Sequence, residues 1–304
     1  MELLRDVQRK LDLFFDIYQL DKDPAFSRFI PMVYDPIGFD WKAKFEEDFT
    51  QRFNGLMMKG GPELNRIFLA SFPTDEVVTM FIEEADEGDL LFMHHPIPME
   101  CGDPQGAWGR GFLPITPSLL DEISRRHLSI YTCHAPLDYH RQIGTSISIT
   151  EALGGKIVDE FCPYGNGFAG LICDITLTST DELIDRLLPL FEIPYVDFEG
   201  KKHKRIQRIA IIAGCGDVVS DMKEAERKGA QAYVTGEIHC HIHNDYGKSK
   251  YNRMKEYVEE TQMSLIGLSH AASEFFVMKT QMLQWIEQEM NVEVQLLRQS
   301  KWWV

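Results

Sequence analysis

A strand–helix–strand plan that occurs twice limits this chain more than any other feature. Arg66-Ile67-Phe68-Leu69-Ala70 reads as a strand, Thr74 as an N-cap, the residues to Glu87 as a helix, and Gly88-Asp89 as the turn before a second strand, Leu90 to Met93. Much later, Ile206 to Ala213 reads as a strand, and Asp217 or Ser220 as the cap of a helix running to Lys228. Gly229 closes that helix, and Ala232 to Thr235 is the next strand. Strands joined in this way lie parallel with a right-handed crossover. The expected fold class is therefore α/β.

The two halves agree beyond their elements. Six residues past Gly88 stands His94, and six past Gly229 stands Thr235, so His94-His95-Pro96 and Thr235-Gly236-Glu237 occupy corresponding strand ends. The next strands, Leu128 to Cys133 and Ser264 to Ser269, run into His134 and His270, each followed four residues on by a carboxylate, Asp138 and Glu274. An internal duplication explains this pattern more easily than chance. Pro96 has no N–H for a ladder and holds His95 extended or in a turn, so the chain leaves the pleat there and both imidazoles can serve one place.

Elsewhere the signals are local. Residues 2–19 place Leu3, Leu4, Val7, Leu11, Phe14, Phe15 and Tyr18 at helical spacing, an amphipathic first helix. Residues 20–60 mix Pro24, Pro31 and Pro36 with many aromatics, which reads as ordered irregular structure with one short helix. Those aromatics, with Trp302-Trp303, read as covered by a subunit interface. Gly165 to Asp174 reads as a strand and Thr180-Asp181-Glu182 as a helix start.

Composition removes several functions. A formal net charge of −16 opposes general binding to nucleic acid or anionic membranes, which takes clustered Lys and Arg. Lys201-Lys202-His203-Lys204-Arg205 is the one basic run, and it reads as a solvated turn. The first residues are charged and no long apolar run occurs, so the expected location is the cytoplasm. Six cysteines without a CxxC pair read as reduced thiols.

Chemistry concentrates at the strand ends. His94, His95, His134, Asp138, His270 and Glu274 supply N and O donors that suit two divalent transition metals sharing a bridging carboxylate or water. One helical turn aims both side chains of each His-x-x-x-carboxylate the same way. Gly214-Cys215-Gly216-Asp217 follows a strand as a phosphate-binding turn would, but Val219 stands where a third glycine belongs, and a tight strand-to-helix turn explains it better. In Glu237-Ile238-His239-Cys240-His241-Ile242-His243 the alternatives stay open between a solvent-facing loop and a role for His239 and His241 behind the ligands or against substrate.

These residues resemble the motifs of the Nif-three-like family of dinuclear metal proteins, some of whose members carry the name type-two GTP cyclohydrolase I. His94-His95-Pro96, His134-Ala135-Pro136-Leu137-Asp138, Thr235-Gly236-Glu237 and Ser269-His270-Ala271-Ala272-Ser273-Glu274 look like its successive motifs, and Asn54-Gly55-Leu56 is similar to its N-terminal Asn-x-Gly-Leu signature with a residue missing. The resemblance spans 54 to about 297. It implies two similar three-layer α/β lobes, the metal site in the cleft between them, and a ring-shaped homohexamer. The expected organisation is an extended N-terminal segment at 1–60, a first lobe at 61–175 and a second at 205–304, with no inserted domain at 176–204. Ala135 and Pro136 depart from the family's usual Thr and Asn, and Ser269 from its usual glycine.

The function expected is metal-assisted hydrolysis of a nucleotide or another phosphorylated small molecule. The six residues above would hold two ions of iron, zinc or manganese, and Glu237 would be general base or substrate anchor. The rival is a non-enzymatic metal-binding adaptor that acts through its oligomeric surface.

Overall fold

The computed structural model describes residues 1–303, and the fold is α/β. The chain forms two compact units. One takes Met1–Met99, Phe112–His140 and Met278–Ser300; the other takes Glu100–Gly111, Arg141–Val277 and a terminal stretch from Lys301. This division differs from the expected lobes at 61–175 and 205–304, and strand pairing is the reason. Gly167–Thr178 pairs antiparallel with Ile206–Ile212, which draws residues before 175 into the second unit. Glu293–Leu296 pairs parallel with Arg66–Ala70, which returns the C-terminal region to the first.

In the first unit the sheet order is Glu293–Leu296, Arg66–Ala70, Leu90–Met93, Ser129–Thr132, Gly55–Met58. All pairs are parallel except the last. Leu90–Met93 and Ser129–Thr132 are buried at every position, as parallel strands covered on both faces must be. Phe68, Leu91 and Ile130 pack in one core with Val77 and Phe81 of helix Asp75–Glu84 and with Leu120 and Ile123 of helix Pro117–Arg125. Thr74 caps the former as expected, its Oγ1 accepting from the Val77 N–H.

The N-terminal segment is more regular than its prolines and aromatics imply. After helix Leu4–Phe14 come helices Phe26–Tyr34, Trp41–Lys44 and Glu47–Arg52. Pro31 stands in the second turn of a nine-residue helix, where it removes one backbone hydrogen bond from the ladder. Phe26, Tyr34, Trp41, Phe45, Phe49 and Phe53 are buried in the core of their own unit, so these aromatics do not wait for a subunit partner.

In the second unit the sheet order is Asp197–Gly200, Ser264–Gly267, Ala232–Thr235, Ile206–Ile212, Gly167–Thr178, Lys156–Tyr164. The strands at 206, 232 and 264 are mutually parallel; the outer ones are antiparallel. Helix Thr180–Phe191 begins on a full capping box from Ser179 and Glu182. Helix Val219–Arg227 starts without a side-chain cap, which corrects the assignment to Asp217 or Ser220. Asp217 instead accepts from the Cys215 thiol and the Lys250 ammonium. Among the described residues no helix is long and apolar enough to cross a membrane.

Candidate metal centre

The first unit brings His94, His95, His134 and Asp138 together. His94 and His95 follow the buried strand Leu90–Met93, and their backbone N–H groups still reach the end of the adjacent strand at the Ala70 and Ser71 carbonyls. Their rings tilt toward one place, with centroids 5.1 Å apart, and a nitrogen from each lies within 4.8 Å of one on His134. His94 Nδ1 lies 2.9 Å from the Cys133 carbonyl oxygen. A carbonyl can only accept, so Nδ1 carries the hydrogen and Nε2 keeps the lone pair. Phe72 stacks on His95 at 4.3 Å.

Asp138, on the short helix Ala135–Tyr139, stands one turn after His134 and closes the set. Its Oδ1 lies 3.5 Å from His94 Nε2 and its Oδ2 lies 3.7 Å from His134 Nε2. These separations exceed the usual 2.7–3.2 Å of an N–H···O hydrogen bond. They match the edge expected between two ligands of one ion, roughly 3.4 Å when each sits roughly 2.1 Å from a tetrahedral centre. The donor set therefore fits a divalent cation.

The other face of His134 carries a carboxylate that the sequence pattern does not reveal. Asp23 is fully buried, and its Oδ2 lies 2.8 Å from His134 Nδ1. Burial alone would raise its pKa, but His134 beside it, with N–H groups of Phe26 and Asn54, holds it well below the usual carboxylate range. Asn54 adds a second hold, its Oδ1 accepting from the His134 N–H at 2.6 Å.

The second unit brings His270, Glu274, Glu237 and Cys101 together. His270 opens helix His270–Val277, and its Nε2 lies 3.0 Å from Glu274 Oε1. Its Nδ1 lies 3.1 Å from Glu237 Oε2 and 3.4 Å from Cys101 Sγ. Burial would lower the His270 pKa, but Glu274, Cys101 and Glu237 around it hold it well above its ordinary value. Burial and the charge of Glu237 push the Cys101 thiol up. The expected donors are N and O alone; Cys101 lies 169 positions from His270, and no local spacing links them.

Close backbone approach explains the glycines here. Gly214 has φ +68, and a Cβ there would stand 2.1 Å from Glu274 Oε1. A Cβ at Gly236 would stand 2.5 Å from the Gly214 carbonyl oxygen. The Gly214 and Gly216 amides donate to Ser273 Oγ and Thr235 Oγ1, so these two amides are spent on side chains of the fold and do not form a phosphate cradle. Ser269, where the resemblance expects glycine, takes φ 72, a left-handed conformation costing about 1–3 kcal/mol. Its Oγ donates to the Trp302 carbonyl and accepts from the Ala272 N–H.

His239 and His241 are buried and do not face solvent. His239 Nε2 pairs with Glu199 Oε1 at 3.1 Å, and His241 packs edge-on to Trp108 at 5.7 Å. The segment is neither strand nor helix; Ile242 bridges to Gly109, and His243 is exposed.

Comparison with known proteins finds relatives in sequence and in fold. The family model Duf34/NIF3 (NGG1p interacting factor 3) matches residues 43–301. A protein of Archaeoglobus fulgidus named GTP cyclohydrolase 1 type 2 homolog is 24% identical, covering 80% of this chain and 88% of its own length. A Pyrococcus horikoshii protein of the same name is 27% identical, covering 75% and 82%. Among solved structures, protein ybgI superposes with a TM-score of 0.68 at 15% identity, over 99% of this chain and 100% of its own. The protein TTHA1606 from Thermus thermophilus gives 0.62 at 19% identity, over 99% of each chain.

Proposed function

Because this chain belongs to the Duf34/NIF3 family, we propose that it is a metal-dependent hydrolase acting on a nucleotide or another phosphorylated small molecule. The substrate class comes from the relatives named GTP cyclohydrolase 1 type 2 homolog. His94, His95, His134, Asp138, His270 and Glu274 are the proposed ligands of two divalent ions, of iron, zinc or manganese. When bound, such ions supply Lewis acidity and make water acidic enough for hydrolysis near neutral pH.

One observation carries the reading. The Asp138 carboxylate stands 3.5 Å and 3.7 Å from two imidazole Nε2 atoms, ligand-edge distances rather than hydrogen bonds. The remaining chemistry falls to the chain. His94 is turned by the Cys133 carbonyl so that Nε2 presents its lone pair. Glu237 steadies His270 through Oε2, and it is the proposed group that takes a proton from, or returns one to, the reacting molecule. His239 and His241, buried between Glu199, Trp108 and Tyr251, are proposed to shape the substrate side of the site. A homohexamer in the cytoplasm completes the proposal, on the resemblance alone now that the aromatics of residues 26–53 are accounted for as core.

The test is elemental analysis of the protein reconstituted in turn with iron, zinc and manganese, followed by a hydrolysis screen over nucleotides and phosphoesters. The reading expects close to two ions per chain and turnover of at least one compound class. Occupancy at or below one ion, unchanged by His94→Ala and by His270→Ala, overturns the dinuclear site. Full occupancy with no turnover across the panel gives way to the metal-binding adaptor.

A further inference from the structure

Asp23 lies outside the region that the family model matches, and its carboxylate is surrounded by donors. Its Oδ2 accepts from Asn54 Nδ2 at 3.1 Å and the Ala135 N–H at 3.2 Å, besides facing His134 Nδ1 at 2.8 Å. Its Oδ1 accepts from the N–H groups of Ala25 at 2.9 Å and Phe26 at 2.8 Å. A carboxylate offers about four lone-pair positions, so five donors leave none for a metal or a substrate proton. Asp23 is therefore neither ligand nor base.

What it does is decided by His134. An ionised carboxylate only accepts, so the Nδ1 facing it must carry the hydrogen, and Nε2, on the side of Asp138, keeps the lone pair. The Phe26 ring, edge-on at 4.4 Å, and the Asn54 carbonyl on the His134 N–H block rotation of the side chain and its backbone. All three holds come from residues 23–54.

We propose that Asp23 is the positioning residue of His134, selecting its Nδ1–H form, raising the basicity of Nε2, and making metal retention depend on the N-terminal segment. The proposal rests on the metal reading above. A histidine ligand backed by a carboxylate binds its ion more tightly, and removing the backing carboxylate lowers affinity about 10- to 100-fold.

The test uses full-length protein and Asp23→Asn. The asparagine Oδ1 can still accept from Ala25 and Phe26, while its amide offers the imidazole a donor in place of an acceptor. In metal-free protein labelled with ¹⁵N-histidine, Nδ1 of His134 should be protonated in the unsubstituted chain and lose that signature in the variant. Zinc competition against a chromophoric chelator should show about a 10- to 100-fold loss of affinity at one site. In a His134→Ala background, Asp23→Asn should cause no further loss. An unprotonated Nδ1 in the unsubstituted protein overturns the proposal, and does so even if Asp23→Asn fails to fold. An equal loss in the His134→Ala background also overturns it, because Asp23 then acts on the fold. If the unsubstituted protein binds no zinc, the metal reading fails while the nitrogen spectra still decide the role of Asp23.

Discussion

His134 in the first unit and His270 in the second stand on the same plan, each with Nε2 toward a carboxylate one helical turn ahead and Nδ1 against a buried carboxylate from elsewhere in the chain. The buried carboxylates differ in their company. Asp23 is saturated by the imidazole, the Asn54 amide and three backbone N–H groups, and of these five donors only the imidazole can exchange a proton in ordinary chemistry. Glu237 faces two ionisable side chains, His270 and the thiol of Cys101. The same geometric position thus serves to hold an imidazole still in one unit and, in the proposed reaction, to exchange a proton in the other. A carboxylate beside a ligand cannot be assigned from its position alone; its remaining partners decide.

That contrast is easiest to break by removing charge. Glu237→Gln should keep both ions and lower turnover about 10²- to 10⁴-fold, the usual scale of acid–base catalysis, whereas Asp23→Asn should reduce turnover only as far as it reduces metal occupancy. Equal occupancy-corrected losses, measured by steady-state kinetics with elemental analysis, would erase the distinction. Glu274→Gln should lose metal first and activity only as a consequence.

Backbone substitutions sharpen the comparison less severely. Gly214→Ala sets a Cβ 2.1 Å from Glu274 Oε1 at φ +68, so it should lower both stability and metal occupancy. Gly154→Ala has nearly the same φ, +65, with nothing within 4 Å, and should cost only about 1 kcal/mol of unfolding free energy with occupancy intact. Urea titration with metal analysis separates them; loss of metal from both would show that conformation rather than contact governs the site.

The smallest effects concern pH. Burial, Glu199 and Glu237 push Asp197 up to about 7 against the opposing charge of Lys255. A raised carboxylate contributes stability that is fully present below its unfolded value near 4 and lost as pH rises through about 7, so Asp197→Asn should flatten that decline. Asp23 has the opposite sign. Its lowered pKa makes its contribution present above the ordinary carboxylate value and lost on acidification, so Asp23→Asn should flatten only the acid side. Chemical unfolding of metal-free protein across pH checks both, and matching profiles would refute the opposite signs.

Residues close in sequence were legible where local physics is strong. The strands at 66, 90, 206, 232 and 264 are built on short, largely apolar runs, and the His-x-x-x-carboxylate pairs lie on helices that begin where expected. The segment at 20–60 was harder, because its proline and aromatic content masks three short helices that tertiary burial stabilises. Helix propensity in pieces of four to nine residues is too weak to announce itself.

By itself the sequence determined the α/β elements, the strand ends that carry His94, His95, His134 and His270, and the carboxylates one turn beyond two of them, because hydrophobic periodicity and helical spacing act over a few residues. Only the tertiary structure decided that Glu293–Leu296 returns to the first sheet, that Asp23 stands behind His134 across 111 positions, and that Cys101 meets His270 across 169. Ladder pairing and the need to satisfy a buried charge are met by long-range contacts, which leave no period in the chain that makes them.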